Sequence, residues 1–220
     1  MKCHVCQKCG LRYYGNHSTR LCRRRTGRKG IPMRSLSRLL RRYGACIEAL
    51  QWAKGQPVSA ATWRACKRGD WMLWIADRLG VGRKLTVPAA CAFVSTALHR
   101  REKRLLKAVK TAAAYAHGEA TDAEMCRAFA DCTPTTAAEH AARVHAVQTL
   151  VHAAGNTARD LNDISRAVTC AASAHADAAQ LVATPLRDFI YDEALNTAAH
   201  IVRRYIPWPV IKKALAPRRG

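Results

Sequence analysis

Four cysteines and two histidines lie within the first 22 residues of the 220-residue chain, at spacings that suit a metal ion. Cys6, Cys9, His17 and Cys22 offer three thiolates and one imidazole, the ligands of a tetrahedral zinc site, with Cys3 as an alternative ligand. So short and polar a segment has no hydrophobic core, so the metal would supply its folding free energy. The pattern predicts zinc. An iron–sulfur cluster on the four cysteines, or no metal at all, are the alternatives.

Positive charge is concentrated in the same part of the chain. The net charge is +22, and residues 1–42 hold 13 Lys and Arg with no acidic residue. Residues 111–200, in contrast, hold 5 basic and 11 acidic residues. This asymmetry is typical of a chain whose N-terminus meets a polyanion, because charge that served solubility alone would be mixed along the sequence.

Aromatic residues interrupt the basic segment at Tyr13 and Tyr14, a combination that suits phosphate contacts with base stacking. The two tyrosines could equally cover the metal site. We therefore predict a nucleic-acid interface, with DNA as the expected ligand. Its residues would be Arg12, Tyr13, Tyr14, Arg20, Arg23, Arg24, Arg25, Arg28, Lys29, Arg34, Arg38, Arg41 and Arg42.

Other functional classes find little support in the sequence. The phosphate-binding Gly-x-x-x-x-Gly-Lys-Ser/Thr, the nucleophile motif Gly-x-Ser-x-Gly and the dinucleotide motif Gly-x-Gly-x-x-Gly are absent, so no enzyme is predicted. Neither a leader pattern nor 18 consecutive apolar residues occur, which favours a cytoplasmic protein without membrane contact. The remaining six cysteines and most tryptophans are expected in the core. These are Cys46, Cys66, Cys91, Cys126, Cys132, Cys170, Trp63, Trp71, Trp74 and Trp208.

The rest of the chain has the periodicity and capping signals of helices, and no alternating β-branched runs. An apolar stripe predicts one helix over residues 33–53, with arginines on its opposite side. Ser59, Asp70 and Thr121 are expected N-caps, the last in a capping box with Glu124. Further helices are expected from Thr86 to His117, from Thr136, from Thr184 to the residue before Pro207, and over residues 210–215.

The predicted fold is therefore all-α, a compact array of about seven helices preceded by a small zinc knuckle. Residues 1–30 would form the knuckle and a basic linker, and residues 31–220 the helical domain. Residues 111–200 contain 27 alanines, so these helices must approach one another closely because alanine offers little side-chain bulk to bury.

Several stretches of the helical part resemble a known family. They are residues 45–52 (ACIEALQW), 62–66 (TWRAC), 68–74 (RGDWMLW), 113–121 (AAYAHGEAT) and 201–208 (IVRRYIPW). Over residues 45–215, the sequence is similar to an alanine-rich helical family of phages and bacteria labelled immunity proteins. The resemblance implies an all-α fold and a phage or bacterial source, and it leaves the basic head outside.

The immunity label carries over no residue role. Immunity proteins that block nuclease toxins usually present an acidic face, and only the acidic centre of this chain could do so. The sequence thus predicts a phage or prophage accessory protein that binds nucleic acid through its N-terminal arm. The alternative is a protein antagonist, an immunity or anti-defence factor, acting through the helical body.

Overall fold

Eleven helices account for most of the residues that the structure describes. The structure is a computed structural model that describes residues 3–5, 12–14, 35–132, 138–155, 163–177 and 184–216. The chain divides into two compact units, residues 1–34 and residues 35–218. The second unit is helical throughout its described part, which confirms the all-α prediction for the body, with more helices than the seven expected.

The helices follow one another with short connections. They are α1 (Leu36–Tyr43), α2 (Ile47–Trp52), α3 (Ala60–Ala65), α4 (Gly69–Arg78), α5 (Arg83–Val94), α6 (Lys103–His117), α7 (Asp122–Ala130), α8 (Ala138–Gly155), α9 (Asp163–Asp177), α10 (Thr184–Tyr205) and α11 (Trp208–Leu215). A 3₁₀ turn, Ser95–Ala97, follows α5.

In the first unit, two three-residue strands pair antiparallel. β1 (Cys3–Val5) and β2 (Arg12–Tyr14) align Cys3 with Tyr14 and Val5 with Arg12. The sequence did not indicate these strands.

Several helix ends lie where they were predicted, because neighbouring residues cap them. The Ser59 hydroxyl accepts a hydrogen bond from the Thr62 amide at the start of α3. Thr121 and Glu124 form the expected capping box of α7. Gly118 ends α6 in the left-handed conformation, at φ 82°. The second expected capping box, at Thr136, begins outside the described residues.

Three helix predictions are wrong. The single helix expected over residues 33–53 is divided at Gly44, which has a φ of 78° and ends α1. α5 begins at Arg83, so Pro88 lies inside it, and the helix stops at Val94 rather than continuing to His117. Val87, Ala89 and Ala90, beside this proline, are fully buried, and this apolar burial helps to offset the cost of a proline in a helix interior, about 3 kcal/mol. Asp70 is the second residue of α4 and not its cap.

The core lies where α4, α5, α6, α8, α9 and α10 pack against one another. Large buried side chains such as Phe93, Leu150 and Leu195 are spaced among many fully buried alanines, including Ala171 and Ala198. Close approach of helices takes the place of side-chain bulk, as expected from the alanine content.

Candidate functional site

Helix α1 presents two opposite faces. Leu39 and Leu40 are buried, whereas Arg38, Arg41 and Arg42 are exposed. The guanidinium of Arg42 lies 6.0 Å from the centre of the Tyr43 ring. This exposed cationic face, formed by Arg38, Arg41 and Arg42, is called the α1 arginine face below.

A second cationic surface covers the start of α6. Its members are exposed basic side chains on the loop and on the outer side of the helix: Arg100, Arg101, Lys103, Arg104, Lys107 and Lys110. The one acid within this stretch, Glu102, bonds to Arg143 of α8 at 2.9 Å. Part of this surface shares a depression with the acids Glu119, Glu124 and Asp131. The α6 surface is therefore a mixed one, unlike the α1 arginine face.

Most of the predicted site residues lie outside the described residues. This applies to the metal ligands Cys6, Cys9, His17 and Cys22, and to the basic residues Arg20, Arg23, Arg24, Arg25, Arg28, Lys29 and Arg34. The backbones of Cys3 and of Arg12, Tyr13 and Tyr14 lie in β1 and β2. Within the described part of the chain, no three His, Cys, Asp or Glu side chains come close enough to hold a metal ion.

A cavity of about 380 Å³ lies on the far side of α1 from its arginines. All five tryptophans of the chain line it: Trp52, Trp63, Trp71, Trp74 and Trp208. Leu36, Leu39 and Leu40 of α1 complete one wall, and Ile211 and Leu215 of α11 contribute to another. The lining is thus mainly aromatic and aliphatic.

Only one tryptophan of this set is a core residue. Trp63 is 7% exposed, whereas the other four are half-buried at the cavity. The prediction of core anchors is confirmed for Trp63 and wrong for Trp71, Trp74 and Trp208. The rings of Trp52 and Trp71 lie 6.1 Å apart at a tilt of 55°. This distance and tilt are those of an aromatic pair in contact between the stacked and edge-to-face arrangements.

An ion pair forms the charged part of the cavity wall. Arg68 donates Nε and Nη2 to the two carboxylate oxygens of Asp70, at 2.9 and 2.7 Å. The same guanidinium lies 4.5 Å from the centre of the Trp71 ring. Burial acts to lower the pKa of Arg68, but the hydrogen bonds with Asp70 and the charges of Asp70, Tyr191 and Asp192 together outweigh burial, and the pKa is raised. Arg68 and Asp70 therefore largely neutralise each other at this wall.

Two long-range hydrogen bonds connect the cavity to the core. Trp63 Nε1 donates to the carbonyl of Ile206, at 3.1 Å, and both residues are buried. Arg203 of α10 donates Nη1 to the carbonyl of Cys66, at 2.8 Å. These bonds hold α3 and the loop after it against the end of α10, and so fix one wall of the cavity.

The cysteines of the body do not share one environment. Cys66, Cys91 and Cys132 are buried as predicted, whereas Cys46 and Cys126 are exposed, which corrects the expectation that all six are core thiols. Cys46 also lines the cavity. Because the expected helix is broken at Gly44, Cys46 lies at the N-cap of α2 and not within a continuous helix.

The early part of α10 carries an exposed surface of apolar and acidic residues. Phe189 is 60% exposed and Leu186 is 39% exposed. Asp188, Asp192 and Glu193 are exposed around them. This face of α10 was not predicted from the sequence, because its apolar and acidic residues do not fall on separate sides of the helix.

Comparisons with known proteins add no relative: no family model, no characterised protein and no solved structure matches the chain. The resemblance to immunity proteins therefore stays a prediction. None of the described helices is long and apolar enough to cross a bilayer.

Proposed function

We propose that this protein binds nucleic acid, with DNA as the expected ligand, through its basic N-terminal arm and the adjoining α1 arginine face. The proposal rests on the charge of this segment: residues 1–42 contain 13 basic residues and no acidic residue. The last three of these basic residues, Arg38, Arg41 and Arg42, are exposed on one side of α1. Phosphates bind to such surfaces by releasing counterions, which needs accessible cations rather than a shaped pocket.

Zinc belongs to the same proposal. Cys6, Cys9, His17 and Cys22, with Cys3 as the alternative, would hold the ion and order the segment that carries the arm's arginines. Under this proposal the protein is a phage or prophage accessory factor in the cytoplasm of a bacterial host. The helical body then serves as a platform for a protein partner.

The proposal is tested by salt dependence. With about 6–10 phosphates neutralised, DNA affinity should fall by about 10³ to 10⁵ between about 50 and 200 mM salt. Replacing the α1 arginine face (Arg38, Arg41 and Arg42→Gln) should reduce the slope of log affinity against log salt by about 2.7, since each phosphate contact contributes about 0.9.

The chain provides a matched control. Lys103, Lys107 and Lys110→Gln removes the same charge from the mixed α6 surface and should leave the slope unchanged. A flat salt response of the full chain, or a slope that changes only in the α6 variant, would contradict the proposed interface. Deleting residues 1–30 should also reduce binding strongly and leave weak residual affinity at the α1 arginine face.

A second candidate function rests on the exposed face of α10. An exposed Phe189 beside Asp188, Asp192 and Glu193 fits a basic protein partner, as an immunity or anti-defence antagonist would require. Phe189→Ser should then abolish capture of a host protein that the α1 arginine variant still retains. Loss of capture in the α1 variant instead would favour an arm-mediated contact.

A further inference from the structure

We propose that the tryptophan-lined cavity binds a small, uncharged aromatic molecule. Its volume of about 380 Å³ falls within the usual range of small-molecule sites, about 300–1,000 Å³. Such sites combine a largely apolar lining with a few polar groups, and this cavity has that composition. The cavity lies on the opposite side of α1 from the α1 arginine face.

The aromatic preference follows from the indole rings. Four of the five tryptophans are half-buried and all five line the cavity, so accessible indole surface is gathered at one place. The rings of Trp52 and Trp71 lie 6.1 Å apart at a tilt of 55°, and the Arg68 guanidinium covers one face of Trp71, so a ligand would contact the remaining indole surface of the set. A flat aromatic ligand can stack or pack edge-on against indole rings that line the cavity, which an aliphatic chain cannot do.

The proposed ligand is uncharged because of the ion pair between Arg68 and Asp70. Among the described lining residues, Arg68 and Asp70 are the charged ones, and each already satisfies the other through two hydrogen bonds. A charged ligand would have to break this pair or be buried without a counter-charge, and both are costly. Ser59 and Thr62 also line the cavity and are engaged with each other and with the α3 backbone.

The probe for the test is N-phenyl-1-naphthylamine, an uncharged aromatic amine that fluoresces in apolar surroundings. Its sulfonated analogue, 8-anilinonaphthalene-1-sulfonate, has nearly the same rings and one negative charge. Because every tryptophan of the chain lines the cavity, excitation of tryptophan should transfer energy to a bound probe. We expect saturable binding of the uncharged probe to the full-length protein.

Two substitutions of equal size locate the binding. Ala45→Phe places a ring in the cavity wall and should weaken probe binding at least about 10-fold. Ala113→Phe adds the same ring to α6, away from the cavity, and should leave binding unchanged. Circular dichroism shows whether both variants keep their helices. Equal probe affinity in the two folded variants would overturn the proposal.

A measurement on the unaltered protein decides the question if Ala45→Phe does not fold. Cys46 is an exposed thiol that lines the cavity, and Cys126 is an exposed thiol on α7 that does not. The uncharged probe should slow alkylation of Cys46 and leave Cys126 unchanged, as read by peptide mass spectrometry. The sulfonated analogue should protect Cys46 about 10-fold less effectively, wherever else it binds on the basic surface.

Further results would overturn the assignment. They are the absence of saturable binding, equal rates of Cys46 alkylation with and without the uncharged probe, and equal protection by the sulfonated analogue. Displacement of the uncharged probe from the cavity by a short single-stranded oligothymidine would also overturn it. In that case the cavity accepts bases of a charged chain and belongs to the nucleic-acid interface.

Discussion

Gly69 of α4 and Ala198 of α10 are in such close contact that a Cβ built on the glycine would lie 2.5 Å from the Ala198 Cβ. The same atom would lie 2.6 Å from the Ala199 nitrogen, so the two helices meet through backbone atoms as well as side chains. This contact positions the beginning of α4, which carries Asp70 and Trp71 of the cavity wall.

Gly69→Ala should destabilise the protein by about 1–3 kcal/mol, because neither the backbone nor Ala198 can move far in a packed core. For a body of this size, each kcal/mol corresponds to about 2–4 °C in Tm. Thermal unfolding followed by circular dichroism measures the change. Gly82→Ala is the control, since nothing lies within 4 Å of a Cβ there, and it should change stability by less than about 1 kcal/mol. Equal Tm values for the two variants would contradict the close contact.

The thiols of the body should react in two groups. Burial raises the pKa of Cys66 to about 11, of Cys91 to about 12 and of Cys132 to about 11, so these thiols stay protonated and unreactive. Iodoacetamide should therefore label Cys46 and Cys126 first in the folded protein. Peptide mass spectrometry gives the rate at each position. Rapid labelling of Cys91 before global unfolding would show that the core opens locally at α5.

His175 should make stability depend on pH. Burial lowers its pKa in the folded state, and its Nε2 lies 3.0 Å from the Thr96 hydroxyl, beside the Phe93 ring. The unfolded chain, with a histidine pKa near about 6.5, binds the proton first, so this contribution to stability is lost as the pH falls below about 6.5.

Urea unfolding at several pH values tests the role of His175. His175→Gln should flatten the decline below about pH 6.5, whereas His200→Gln, on an exposed position of α10, should not. An unchanged decline in the His175 variant would assign the effect to other groups.

Zinc analysis tests the N-terminal cluster. Protein purified without chelator or metal-affinity resin should contain about one zinc per chain, and Cys6→Ser with Cys9→Ser should lose it without changing the positive charge. Cys126→Ser, which removes an exposed thiol of the body, is the control. A zinc content near zero in reduced, folded wild-type protein would remove the metal from the proposal.

The variant with Cys6→Ser and Cys9→Ser also tests whether DNA binding depends on the metal-ordered structure of the arm or on its positive charge alone. A large loss of DNA affinity would mean that the metal-ordered segment positions the arm, and a small loss would mean that bulk charge is sufficient.

The helix ends that the sequence predicted correctly are those decided by neighbouring residues. Ser59 and the Thr121–Glu124 box cap helices through side chains three residues away, and Gly118 supplies a conformation that other residues avoid. Asp70 had the same local signal but forms its strongest bonds with Arg68 instead. Pro88 had a local signal for a helix start that burial in the core overrides.

The cavity could not be predicted from periodicity. Tryptophans at helical spacing look the same whether they fill a core or line a cavity, because the difference depends on what faces them from other helices. Here α11 is the distant partner, since Trp208, Ile211 and Leu215 face residues from the first third of the body. In contrast, the α1 arginine face was predictable, because hydrophobic spacing within one helix determines which side is exposed.

The hydrogen bond from Trp63 to Ile206 joins residues 143 positions apart and has a consequence for synthesis. Most of the cavity wall lies within residues 36–79, which are synthesised well before residues 208–215. The wall is completed only when residues 208–215 emerge. Until then the indole N–H of Trp63 lacks its acceptor and the cavity-facing sides of α1 and α4 lack the cover of α11, so the nascent chain exposes this aromatic surface while residues 80–207 are synthesised.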